Sequence, residues 1–212
     1  MKLDSIFVGK PRQVENQGKM VTTGIFKEKI TGPVGVTKLN VEGDQQADLK
    51  VHGGVEKAVY AYPSEHYQFW KEKRPNLAFG PGRFGENLSI TGLSEKDVCI
   101  GDTYKIGSVV FMVKSPRMPC FKLGIKMNDP RFVKDFMDAN LTGFYFCVLE
   151  EGEIEAGNRI EKIDEDGHGL TVDETARLYA LDKDNNALLR KAASSPSLPT
   201  DWVEFYQKRL DK

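Results

Sequence analysis

A mainly β fold followed by three short helices is what this 212-residue chain predicts. Three observations lead there. Runs rich in β-branched and aromatic residues fill the chain up to about residue 165. Most of its 20 glycines fall between those runs, as turns of a barrel or sandwich do. Beyond a polar, glycine-bearing stretch, Asp164-Glu165-Asp166-Gly167-His168-Gly169, the strand signal stops and helical spacing begins.

In chain order, residues 34–41, 55–62, 97–100 and 103–113 read as strands. Residues 144–149, Phe-Tyr-Phe-Cys-Val-Leu, are apolar on both faces and predict an inner strand. Two helices interrupt the strands. One begins at Pro63-Ser64-Glu65 and carries Tyr67 and Trp70 on one face. The other begins at Asp129-Pro130, a cap and first-turn pair, and buries Phe132, Val133, Phe136 and Met137. After the linker, Thr171-Val172-Asp173-Glu174 is a capping box, with Ala176 and Tyr179 continuing the face that Val172 starts. Residues 187–193 form a second helical stretch. Thr200-Asp201 opens a third, with Trp202, Phe205, Tyr206 and Leu210 at helical spacing.

Composition narrows the function. The 30 basic and 31 acidic side chains nearly cancel, to a net charge of -1, so no global field attracts a nucleic-acid polymer. The longest apolar runs, such as residues 106–113, are too short to span a bilayer, and Met1-Lys2-Leu3-Asp4 lacks the apolar core of a signal peptide. Cys99, Cys120 and Cys147 are odd in number and widely spaced, which argues for a reducing compartment; a cytoplasmic protein without membrane association is expected.

The chemistry concentrates in Ser115-Pro116-Arg117-Met118-Pro119-Cys120-Phe121-Lys122, directly after a strand-like run. Each proline fixes its own φ and restricts the residue before it, so a stiff, extended loop is expected. Arg117 and Lys122 are placed to favour the thiolate of Cys120. Such a sulfur serves as a metal ligand or a nucleophile; the alternative is an inert buried cysteine beside two solvated cations. Cys99 and Cys147 lie in strand-like runs, so core packing is expected for them, with Cys120 alkylated first.

Two glycine clusters accompany this loop. Lys50-Val51-His52-Gly53-Gly54 sets a histidine beside open backbone N–H groups, either for a ligand or for a structural turn. Phe84-Gly85-Glu86-Asn87-Leu88 offers the donors and acceptor of Asn87, for a heterocycle, a phosphate or a cap. Neither has P-loop or dinucleotide-fingerprint spacing, and no zinc-binding spacing or Ser-His-Asp arrangement can be assigned. Lys10-Pro11-Arg12 and Lys27 add cations near strand ends.

Glu42-Gly43-Asp44, His52-Gly53-Gly54, the Phe84 to Leu88 turn, Gly101-Asp102, the Pro116 to Lys122 loop and Gly143-Phe144-Tyr145 occur in this order. Across about residues 5–165 they resemble the MOSC domain, the module of molybdenum cofactor sulfurases and related amidoxime-reducing enzymes. The tail from 169 to 210 resembles the three-helix domain of the YiiM subfamily, associated with resistance to 6-N-hydroxylaminopurine. The resemblance implies a β-barrel-like MOSC domain over residues 1–165 and a small three-helix domain over residues 166–212.

It further implies a molybdenum cofactor (Mo-molybdopterin), with Cys120 as catalytic residue and protein ligand to molybdenum. A thiolate suits a sulfur-rich metal centre, and Arg117 and Lys122 would neutralise an anionic group. Lys10, Lys27, Lys50, His52 and Asn87 match recurring polar positions of the subfamily and are expected to line the pocket. The implied reaction is reduction of an N-hydroxylated small molecule, such as a hydroxylaminopurine, to the amine. No residue pattern for flavin, haem or iron–sulfur binding is present, and pyridoxal phosphate is not expected. A separate electron-donor reductase is therefore implied, with the helical tail as its docking surface, a cover for the barrel or a homodimer contact. A non-catalytic carrier of the cofactor or its sulfur, and a metal-free thiol enzyme, stand as alternatives.

Overall fold

The structure is a computed structural model that describes residues 1–47 and 53–211. Its strands are β1 (Lys2–Val8), β2 (Arg12–Asn16), β3 (Lys19–Thr23), β4 (Glu28–Ile30), β5 (Val34–Val36), β6 (Val59–Pro63), β7 (Leu88–Thr91), β8 (Thr103–Ile106), β9 (Val109–Pro116), β10 (Phe144–Glu150), β11 (Gly152–Ile154) and β12 (Ile160–Asp164). The helices are α1 (His66–Lys73), α2 (Phe121–Met127), α3 (Phe132–Ala139), α4 (Val172–Ala180), α5 (Asn186–Ala193) and α6 (Thr200–Leu210).

Eight strands form one sheet in the order β12-β8-β9-β10-β6-β7-β1-β4, antiparallel except for the β6–β7 pair. The expected inner strand is β10, hydrogen-bonded to β9 on one side and β6 on the other. The expected barrel does not close. Ile160 N donates to Met1 O at 3.1 Å, and a single Lys2–Arg159 bridge draws the start of β12 beside β1. A strand has only two edges, and here β7 takes one while β4 pairs with Ile6, Phe7 and Val8 on the other. Too little of β1 remains for a continuous closing ladder.

Several predicted strands are shorter than expected. Residues 34–41 break after Val36, where Thr37 N donates to Asn40 O and closes a turn. Residues 55–57 form a 3-10 turn before β6. Residues 97–100 make only an isolated bridge, Cys99 to Thr171, because a turn with Asp97 N bonded to Ser94 O precedes it. Residues 103–113 divide at Gly107-Ser108 into the β8–β9 hairpin, Gly107 having φ +59°.

Alternation along β6 builds two cores on opposite faces of the sheet. Val59 and Ala61 join the main cluster with Leu3, Phe111 and Phe146, whereas Tyr60 and Tyr62 join Trp70, Phe84, Phe132 and Phe136 under α1, α2 and α3. The ring of Trp70 lies 4.9 Å from Phe132, centroid to centroid, and its Nε1 donates to Tyr62 Oη at 2.7 Å. Arg74 clasps α1 to the α3 end by ion pairs with Asp129 and Asp135.

The C-terminal helices share the main core. Val172, Leu178, Leu189, Ala192, Trp202 and Tyr206 belong to the same apolar cluster as the strands. The linker is anchored: Ile100 N donates to Leu170 O, and Val172 N to Val98 O. The capping box forms as spaced, with Thr171 Oγ1 accepting from Glu174 N and Glu174 Oε2 from Thr171 N, both at 3.0 Å.

Candidate functional site

The loop after β9 carries the site. Pro116, the last residue of β9, still pairs with Phe144, and Arg117 N donates to Gly143 O at 3.3 Å, so the chain leaves the sheet at a fixed point. Met118 and Pro119 lead to Cys120, which is extended at φ −125° and immediately precedes α2; Leu123 N donates to Cys120 O at 2.9 Å. Sequence reading extended the loop through Lys122 and missed α2. Gly124, which reads as a helix breaker, lets this short helix lie against α3: a Cβ there would come within 3.0 Å of Pro130 Cα.

Cys120 lines a cavity together with Lys27, Lys57, Arg117, Lys122 and Tyr145; Asp44, Phe84, Gly85 and Asn87 also line it. Of the residues expected at the site, the fold thus gathers Cys120, Lys27, Asn87, Arg117 and Lys122 around one space. Lys10 is exposed and does not line it. Lys50 and His52 lie outside the described residues.

Arg117 is the residue most constrained by the site. Its side chain is buried, with the guanidinium carbon 5.5 Å from the Tyr60 ring centre and 5.3 Å from that of Phe136. Nη2 reaches Phe84 O at 3.5 Å, and Nη1 is buried with no hydrogen-bond partner among the described residues. A buried N–H left without an acceptor is costly, and one on a cation calls for an anionic oxygen. Burial pushes the phenols of Tyr60 and Tyr145 above their ordinary pKa, while the Arg117 charge pulls both back down, helped at Tyr145 by a side-chain hydrogen bond with Arg117.

Lys27 and Asn87 have intramolecular tasks. Lys27 is ion-paired with Asp44; burial pushes its ammonium pKa down, and Asp44 and Glu86 oppose that shift. Asp44 also accepts from Gly9 N at 2.8 Å and from Asn87 Nδ2 at 2.9 Å. Asn87 Nδ2 donates again to Phe7 O, and its Oδ1 accepts from Tyr60 N at 3.1 Å. Asn87 therefore bolts β1, β6 and the Asp44 turn together, and both of its amide hydrogens are committed.

Residues 48–161 match the MOSC domain family, and residues 170–212 match the YiiM-like, 3-alpha helix domain. This chain belongs to the MOSC domain family. The MOSC chain is similar to YflK, an uncharacterized protein of Bacillus subtilis (strain 168), at 39% identity over 210 residues, 98% of this chain and 94% of the relative. It is similar to the crystal structure of YiiM from Geobacillus stearothermophilus, with TM-score 0.82, 37% identity and coverage of 99% of this chain and 98% of that one. A protein named Reductase from Gibberella moniliformis (strain M3125 / FGSC 7600) is 37% identical over 198 residues, covering 91% of this chain but only 35% of that protein.

Sequence reading does not single out Lys57 or Tyr60 as site residues, and names Tyr145 only within the Gly143-Phe144-Tyr145 motif. Lys57 lay within an expected strand, and the tyrosines read as strand packing. Only the pairing of β6 with β10 sets Tyr60 against Tyr145, with ring centres 5.4 Å apart beside the Arg117 loop. Cys99 and Cys147 are half-buried rather than in the core, as Cys120 is, and none of the three forms a disulfide. Cys147 sits on the less covered face of β10, and Cys99 in the bridge that holds the C-terminal linker. Burial pushes both thiols up, with Asp102 adding to the effect at Cys99. Among the described residues no helix is long and apolar enough to cross a membrane.

Proposed function

We propose that this MOSC protein is a molybdenum-cofactor-dependent reductase of N-hydroxylated compounds, with Cys120 as the protein ligand to molybdenum. The observation that carries this reading is that Arg117, whose buried Nη1 has no hydrogen-bond partner among the described residues, lines the same cavity as Cys120. A soft sulfur and an unsatisfied cationic donor on one cavity fit a group that brings both a sulfur-bound metal and an anionic oxygen. Among the described residues no cluster of three or more His, Cys, Asp or Glu could hold a metal ion, so a metal held through Cys120 would bring its other ligands with it.

Bound there, the cofactor would supply a two-electron centre able to take the substrate's hydroxyl oxygen. The protein's part is position and charge. Arg117 balances anionic charge at the buried end, Lys57 and Lys122 do so at the rim, and the Pro116–Gly143 junction fixes the thiol relative to the sheet. Converting N–OH to N–H consumes two electrons and two protons and releases water, so a reductant must be delivered. The relative named Reductase devotes about two-thirds of its length to other sequence. For this chain the reductant would come from a separate reductase drawing on a reduced nicotinamide nucleotide.

Purification from a host that makes the cofactor tests the reading, with wild type and Cys120→Ala compared for molybdenum, pterin and reduction of 6-N-hydroxylaminopurine. Near-stoichiometric molybdenum and pterin in wild type, with metal and turnover lost in the variant, is the expected result. Full activity in Cys120→Ala would remove the ligand assignment. Cofactor handed to an apo-acceptor without turnover would make the protein a carrier.

A further inference from the structure

Glu95, in the loop between β7 and β8, is a buried carboxylate outside the Cys120 cavity. A carboxylate out of water needs donors, and two face this one. Its Oε1 accepts from Gly143 N at 2.6 Å, and His66 Nε2, from the first residue of α1, lies 2.7 Å from its Oε2. Its backbone O accepts from Asp173 N at 2.8 Å, in the first turn of α4. Asp173 Oδ1 in turn accepts from Asn140 Nδ2 at 2.9 Å. Glu95 therefore stands where α1, α4 and the turn before β10 meet.

From that turn the contacts lead to Arg117. Gly143 O accepts from Arg117 N at 3.3 Å, and Thr142 O accepts from Tyr60 Oη at 2.8 Å. The Tyr60 ring is one of the two over which the Arg117 guanidinium lies. The backbone of Arg117 is thus tied to residues 142–143 directly, and its side chain is tied to them through Tyr60. We propose that Glu95, oriented by His66, is a positioning residue for Arg117: it holds the Thr142–Gly143 turn from which the Arg117 loop hangs, and so sets the cation that faces an anionic group beside Cys120. The anionic group rests on the reductase reading, whereas the link from Glu95 to Arg117 stands on the hydrogen bonds themselves. Through Asp173, α4 braces the same turn.

Amide exchange of Arg117, followed by NMR in full-length, cofactor-free protein, reads the link without any ligand. Glu95→Ala leaves Gly143 N without its acceptor, and Arg117 should exchange about tenfold faster, a local opening that leaves the amides of β8 unchanged. Glu95→Gln keeps an acceptor oxygen for Gly143 N and should return the rate close to wild type. His66→Phe keeps a ring edge-on to Tyr62 but removes one donor from the carboxylate; about threefold faster exchange is expected, and this variant decides the matter if Glu95→Ala does not fold. Unchanged Arg117 exchange overturns the link.

Protein from a cofactor-making host separates positioning from a merely structural role. Molybdenum should be lost on gel filtration about tenfold faster in Glu95→Ala, with recovery in Glu95→Gln. In an Arg117→Leu background the same Glu95→Ala change should add nothing, because the residue it acts through is gone. Additive losses in the double variant would make Glu95 a structural residue only and overturn the proposal. If wild type holds no molybdenum, the reductase reading fails and the Arg117 exchange alone decides the link.

Discussion

Arg117 and Cys120 are three residues apart, and the prolines flanking them hold the pair at the end of β9 without a regular element of their own. The arginine is buried with one nitrogen unpartnered among the described residues, and the cysteine is half-buried and lines two cavities. Burial raises the thiols of Cys99 and Cys147, so less of each is thiolate near neutral pH, whereas Cys120 lines the cavity beside Arg117 and Lys122. Alkylation of folded, cofactor-free protein with iodoacetamide should therefore modify Cys120 first, with the other two entering as the pH is raised. Peptide mass spectrometry reads the order directly, and equal labelling of all three at neutral pH would contradict it.

At the scale of elements, the site depends on how β10 begins. Gly143 has φ +63°, its N donates to Glu95 Oε1 at 2.6 Å, and its O accepts from Arg117 N. Buried Glu95 also meets His66 Nε2 at 2.7 Å, tying this corner to α1. A Cβ on Gly143 would fall 2.4 Å from Ala61 O, a backbone atom of β6 that cannot swing away. Gly143→Ala is expected to lose about 3 kcal/mol, from strain at a left-handed position plus the displaced strand. Urea denaturation measures that loss. If the proposed molybdenum cofactor is held at Cys120, its weaker retention by the same variant would show that the corner also sets the Arg117 loop.

At the scale of the whole molecule, the three C-terminal helices extend the core of the sheet. Trp202 and Tyr206 pack in the cluster that contains Phe111 and Phe146, and Tyr206 Oη donates to Thr175 O at 2.8 Å. Separate unfolding would expose this shared apolar face, so one cooperative transition is expected. Trp70 reports the aromatic core beneath α1, and Trp202 reports α6. Single-tryptophan variants, Trp70→Phe and Trp202→Phe, should melt with each fluorophore tracking the backbone circular dichroism. Two resolved transitions would mean that the helices fold as an independent unit.

The sequence by itself determined the mainly β class, the inner strand at residues 144–149, the helices after Pro63 and Pro130, and the capped start of the C-terminal helices. Each of these rests on local signals: alternation, caps, prolines and helical spacing. It also marked the cysteine loop, because two prolines and two cations leave a local imprint. The tertiary structure alone decided that the sheet stays open, since edge occupancy depends on partners distant in sequence. The same holds for α2, whose glycine is favourable only against Pro130. Asn87 became a bolt between strands because its partners, Phe7, Asp44 and Tyr60, come together only on folding. Tyr179, Trp202 and Phe205 read as helix packing at their own spacing. They face Cys120 across a cavity because α4 and α6 dock beside a loop tens of residues away in sequence.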